Sequence, residues 1–115
     1  MSEQETLRVV EAFNRAWGDH DLEAALALVT EDCVFENTSP APDGVVVRGR
    51  EEIGAAWKEI FDNEQSAFEA EETFAAGDRA VQRWRYSWGD GHVRGVDVMR
   101  VRDGKVAEKL SYVKG

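Results

Sequence analysis

The chain has 115 residues, a formal net charge of −9 at pH 7, 43% hydrophobic residues and 32% charged residues. That is the size and composition of one globular domain with room for a real core. The acidic balance excludes a nucleic-acid binder, which needs a basic face, and argues equally against an anionic membrane surface. The lone cysteine, Cys33, excludes an internal disulfide, and no Cys/His spacing suits zinc. The start, Ser2-Glu3-Gln4-Glu5, is polar and acidic and shows no signal-peptide pattern, and no apolar run reaches membrane-spanning length. The expected location is the cytoplasm, and the expected unit is a single domain over residues 1–115.

Helical spacing of Leu7, Val10, Phe13, Ala16 and Trp17 predicts a first helix from about Glu3 to Gly18. Asp21 is placed to cap a second, with Leu22, Ala25, Leu26, Leu28 and Val29 as its apolar residues. Thr30-Glu31-Asp32 then breaks into a short strand, Cys33 to Asn37. A loop rich in Pro, Ser and Gly follows, Thr38 to Gly44. Val45 to Val47 reads as a brief strand. Gly49 to Asp62 reads as a third helix, with Ile53, Trp57, Ile60 and Phe61 along one side.

Beyond Asn63 the period falls to two, so Phe68 to Val113 is expected to form antiparallel strands, with the helices on the concave side. Val81 to Trp88 puts Gln82, Trp84, Tyr86 and Trp88 on one face. Asp103-Gly104 predicts a two-residue hairpin turn, in which both residues tolerate positive φ. Regular pairing from that turn sets Met99 opposite Glu108 and Asp97 opposite Leu110. One face then carries Asp97, Met99, Val101, Val106, Leu110 and Tyr112, and the other Arg100, Arg102, Lys105 and Lys109. A carboxylate on the greasier face costs several kcal/mol unless it is paired or protonated, so Asp97 asks for an explanation. The fold class is α+β: helices first, then antiparallel strands.

This order, with His20-Asp21-Leu22-Glu23-Ala24, Val34-Phe35-Glu36-Asn37 and Gly95-x-Asp97-x-x-Arg100 running into Asp103-Gly104-Lys105, resembles the SnoaL-like branch of the NTF2-like superfamily. That branch includes polyketide cyclases and is related to ketosteroid isomerases. The resemblance spans nearly the whole chain. It implies a cone: three N-terminal helices packed on a curved antiparallel sheet, an apolar pocket at the open end, and a homodimer through the convex back. Of the isomerase groups, the tyrosine falls on Phe13, the base on Asn37 and the neutral acid on Asp97, so only the last survives. The superfamily's epoxide hydrolases need two aspartates on the late strands. Ser111 stands at one of those positions, and Asn37 matches their water-positioning amide.

Asp97 is the candidate acid/base residue. Desolvated in a pocket it would titrate nearer neutrality, whereas beside an arginine or lysine of a neighbouring strand, with Arg83, Arg85 and Arg94 among the candidates, it would be a structural ion pair. Asn37 either orients a carbonyl or water or simply ends its strand before the loop. Trp17, Phe35, Trp57, Trp84 and Met99 are the expected walls of a hydrophobic ligand site around Asp97, or else core. Tyr112, on Asp97's face in this register, either donates to a ligand or sits at the rim. Glu108 is expected on the same face, paired rather than catalytic. His92, just past Gly89-Asp90-Gly91, is expected in solvent, and Cys33 as a small buried hydrophobe. The reading is a hydrophobic small-molecule site requiring no cofactor. It serves a cyclase, isomerase or hydratase acting on a carbonyl-bearing substrate, or else a binding or dimerisation module without catalysis.

Overall fold

The computed structural model describes residues 2–115. The elements run α1 (Glu3–Gly18), α2 (Leu22–Ala27), β1 (Val29–Glu36), β2 (Val46–Arg48), α3 (Arg50–Phe61), β3 (Ser66–Ala76), β4 (Arg79–Trp88), β5 (Gly91–Arg102) and β6 (Lys105–Val113). Two caps start the helices at the N-terminal end of the chain. Ser2 Oγ accepts from the Glu5 N–H at 3.1 Å, and an Asp21 carboxylate oxygen accepts from the Ala24 N–H at 3.1 Å. Between α1 and α2, His20 takes a left-handed turn with φ 53°. Its ring stacks on Phe61 with Nδ1 3.0 Å from the Phe61 carbonyl oxygen, which ties this turn to the end of α3.

The six strands form one open sheet in the order β2-β1-β6-β5-β4-β3. From β3 to β6 every neighbour is antiparallel, as the two-residue period implies. The sheet as a whole is mixed, however, because β1 joins β6 in parallel. The third helix follows two strands, the chain order that its spacing gives. Strand direction is invisible in a local pattern: β1 and β6 lie far apart in sequence, and the crossover between them fixes their sense only once the fold closes.

One irregularity decides the site. The turn has the expected geometry, with φ 54° at Asp103 and 77° at Gly104, and it sets Arg102 opposite Lys105 and Val101 opposite Val106. Ala107 is then an extra residue. Arg100 faces Glu108, Met99 faces Lys109, Asp97 faces Ser111 and Val96 faces Tyr112. Such a bulge shifts every later side chain to the opposite face. Lys109 and Ser111 therefore turn inward and are buried, while Tyr112 turns outward and is 56% exposed. The regular register placed Lys109 outside and Leu110, Tyr112 and Glu108 inside, and the bulge reverses all four. Glu108 pairs with Arg100 at 3.4 Å on the outer face.

The core lies between this inner face and the helices. Trp57 and Phe13 are fully buried or nearly so, beside Ile53, Val10, Met99 and Phe35. Cys33 is also buried, and loss of hydration, reinforced by the Asp32 charge, pushes its thiol up to about 12. A polar clamp holds α1 to the sheet. Asn14 Nδ2 donates to Gln82 Oε1 at 2.6 Å, Gln82 Nε2 donates back to Asn14 Oδ1 at 3.0 Å, and Thr73 Oγ1 donates to the same Gln82 oxygen at 2.8 Å. With its oxygen doubly used and its nitrogen engaged, this buried amide is paid for by hydrogen bonds.

Candidate ligand cavity

A cavity of about 260 Å³ opens between the helices and the inner face of the sheet. Trp17 of α1, Ile60 of α3, Phe35 of β1, Phe68 of β3, Trp84 and Tyr86 of β4 and Val93 of β5 form its apolar walls, and Asn37, Thr38 and Ser39 stand on the loop after β1. Lys109 and Ser111 supply polar groups from β6. Among the described residues that line it, Lys109 is the one charged side chain.

The lysine is held from several sides. Its Nζ lies 4.8 Å from the Trp17 ring centroid and 5.0 Å from that of Phe35, the range of cation–π attraction. It donates to Ser111 Oγ at 3.1 Å and sits 3.5 Å from Asp97 Oδ2. Ser111 Oγ in turn donates to Asp97 Oδ1 at 2.7 Å. Asp97 has no exposed surface and Lys109 only 6%, so this is a buried ion pair in an aromatic setting. A buried carboxylate needs such partners to stay charged. The aspartate's partner is thus a lysine of the neighbouring strand, as the ion-pair reading of the sequence allowed, and not Arg83, Arg85 or Arg94. Arg83 and Arg94 pair with Glu72 and Glu71 instead.

Asp97 itself does not line the cavity; its partners Lys109 and Ser111 do. Of the other expected wall residues, Trp17, Phe35, Trp84 and Asn37 line it. Trp57 and Met99 do not. Both have no exposed surface and pack in the core behind the wall, with the Trp57 ring 5.3 Å from Trp17 and 5.6 Å from Phe35. Tyr112 is on the opposite sheet face. Asn37 lines the cavity, and its Oδ1 accepts from the adjacent Thr38 N–H at 2.7 Å.

Gly95 explains part of the motif that precedes Asp97. A Cβ there would come within 2.2 Å of the Tyr112 carbonyl oxygen and 2.5 Å of Trp84 Cζ2. Its missing side chain is what lets the Trp84 indole lie across β5 and form a wall.

Sequence reasoning missed Lys109 and Ser111 as site residues, along with Tyr86, Phe68, Val93, Ile60, Thr38 and Ser39. Tyr86 was already on the face of Trp84 by alternation. For Lys109 the available signal was Val106-Ala107, two apolar residues in succession inside an alternating strand, which is how a buried bulge reads.

Comparison with known proteins matches this architecture. An NTF2-like protein of unknown function from Mesorhizobium loti is 46% identical, with 98% of this chain and 93% of that one covered and a TM-score of 0.90. An NTF2-like protein from Burkholderia xenovorans is 23% identical, covering 99% of this chain and 92% of its own, with a TM-score of 0.78. An LEH-like epoxide hydrolase from M. tuberculosis is 22% identical, covering 97% and 84%, with a TM-score of 0.77; that likeness is one of fold. No curated protein sequence matches the chain. Residues 10–109 match the SnoaL-like domain, and on that match, with the six-stranded sheet and three helices described above, the chain belongs to the SnoaL-like family of NTF2-like domains.

Proposed function

We propose that the domain binds a compact, apolar, carbonyl-bearing small molecule, oriented by Lys109 and Ser111. The observation that carries this reading is a single buried ammonium facing an aromatic cavity, with donor capacity left over. An ammonium has three N–H groups. One serves Ser111, and the 3.5 Å contact with Asp97 Oδ2 is an ion pair without a hydrogen bond, so donor capacity is left for a ligand oxygen. At about 260 Å³ the space is just below the range of roughly 300–1,000 Å³ usual for drug-sized ligands, which suits a molecule of one or two rings.

Titration with 2-acetylnaphthalene, followed by calorimetry, tests this. Saturable binding should be seen with the native protein and should weaken at least about tenfold when both charges are removed in Asp97→Leu/Lys109→Met, since a hydrogen bond to a charged group is lost. Undiminished binding by the double variant would refute the assigned orientation.

The run of hydrogen bonds from Lys109 through Ser111 to Asp97 favours a second reading, a cofactor-independent acid/base enzyme. There Lys109 polarises the carbonyl and Asp97 acts as proton carrier through Ser111, in a cyclase, isomerase or hydratase. The same titration run in D₂O separates the two: enzyme-dependent deuterium entry into the acetyl methyl group supports catalysis, and binding without exchange supports a binding module.

The outer sheet face is proposed to hold a second copy. Phe74, Val81, Val98 and Leu110 form a row across four strands of that face, beside Val96 and Tyr112. Phe74 is 53% exposed, and an apolar row of this kind calls for cover. Sedimentation velocity at micromolar concentration should show a dimer, and Phe74→Glu should shift it to monomer.

A further inference from the structure

We infer that the cavity selects its ligand by charge, admitting uncharged carbonyl compounds and rejecting carboxylates, and that Asp97 sets this preference. The inference rests on the cavity being a ligand site, as proposed above. A lone lysine at the end of an aromatic cavity would be a carboxylate receptor, because ammonium–carboxylate hydrogen bonds are among the strongest a protein makes. Here that role is already filled. Asp97 lies 3.5 Å from Lys109 Nζ, is fully buried, and is further fixed by the Ser111 hydroxyl at 2.7 Å. The walls bring no second cation: the rest of the lining is aromatic, aliphatic, hydroxyl or amide.

An entering carboxylate would therefore add a second negative charge to a site whose positive charge is already balanced. The hydroxyl and amide groups of the lining offer it dipoles but no second cation, and a charge without a counter-charge is costly beside apolar walls. A carbonyl oxygen makes no such demand. It needs one donor, and the ammonium has N–H groups beyond the one given to Ser111. The faces of Trp17 and Phe35 already flank the lysine, so a flat neutral ligand completes its surroundings without changing the net charge. Asp97 is on this account a specificity-determining residue that acts through Lys109, without touching the ligand.

The test uses two probes of nearly equal shape, 2-acetylnaphthalene and 2-naphthoate, with the full chain at neutral pH, by calorimetry. The native protein should bind the ketone at least about tenfold more tightly. Asp97→Asn keeps the shape and an acceptor for Ser111 but removes the charge, and it should reverse the order, with 2-naphthoate the tighter ligand. Equal or tighter binding of 2-naphthoate by the native protein would overturn the charge rule and leave the cavity reading standing. Failure of both probes to bind would overturn both. A folded Asp97→Asn that still prefers the ketone would remove Asp97 from the account. Should that variant unfold, native-protein binding of 2-naphthamide against 2-naphthoate decides the charge rule by itself, with tighter binding of the amide expected and the opposite order fatal.

Discussion

Lys109→Met should destabilise the protein by about 3–5 kcal/mol, the loss that follows when one member of a buried ion pair is removed and the other stays. The variant leaves Asp97 fully buried, still accepting from Ser111 but with no counter-charge. Methionine nearly matches the lysine stem in length, so little packing is lost and the effect isolates the charge. Adding Asp97→Leu to the same chain should recover most of the loss, because a well-packed apolar pair is often as stable as the ion pair it replaces. Equilibrium urea denaturation of the native protein, Lys109→Met and the double variant reads this directly. A single variant as stable as the native protein would mean that Asp97 needs no partner, and the pairing drawn from the geometry would be wrong.

Trp57→Ala should also cost about 3–5 kcal/mol, the range for removing a large aromatic from a core that only partly relaxes. Trp57 has no exposed surface, and its ring packs edge-on against Phe13 at 5.5 Å, Trp17 at 5.3 Å and Phe35 at 5.6 Å. Two of those three rings are walls of the cavity and flank Lys109. Ligand affinity should therefore fall as a consequence of loosened walls, by less than stability does. Thermal melting together with 2-acetylnaphthalene titration separates the two effects. A stability loss below about 1 kcal/mol would contradict the assignment of Trp57 to the core, since a buried tryptophan of this kind cannot be truncated so cheaply.

Trp57 shows where local reading stops. Its helical spacing with Ile53, Ile60 and Phe61 put it on the buried side of α3, and there it lies. Whether a buried aromatic borders a cavity or fills the space behind its wall depends on what the sheet brings opposite. Trp17 and Trp57 touch each other, yet only Trp17 reaches the cavity. Met99 is the same case: alternation turned it inward, and packing then covered it.

Most elements were legible because each rests on a local cause; the start of β1 was not, since Val29 reads as helical and Thr30 to Asp32 as a break, yet both belong to the strand. Helical spacing marks α1, Asp21 caps α2, the two-residue period marks β3 to β6, and Asp103-Gly104 accommodates two positive φ angles. The inward burial of Asp97 was legible for the same reason, since it lies on β5, on the turn's regular side of the sheet.

What only the tertiary structure decided is its partner. Two apolar residues in a row, Val106 and Ala107, are both buried. The sheet accommodates them with a bulge, and the slip of one residue turns Lys109 and Ser111 inward and Tyr112 out. The chain by itself thus determined that a carboxylate would be buried on β5. The closed sheet determined that a lysine would neutralise it, because a side chain's face depends on the register of the neighbouring strand, and register is settled by packing across the whole sheet.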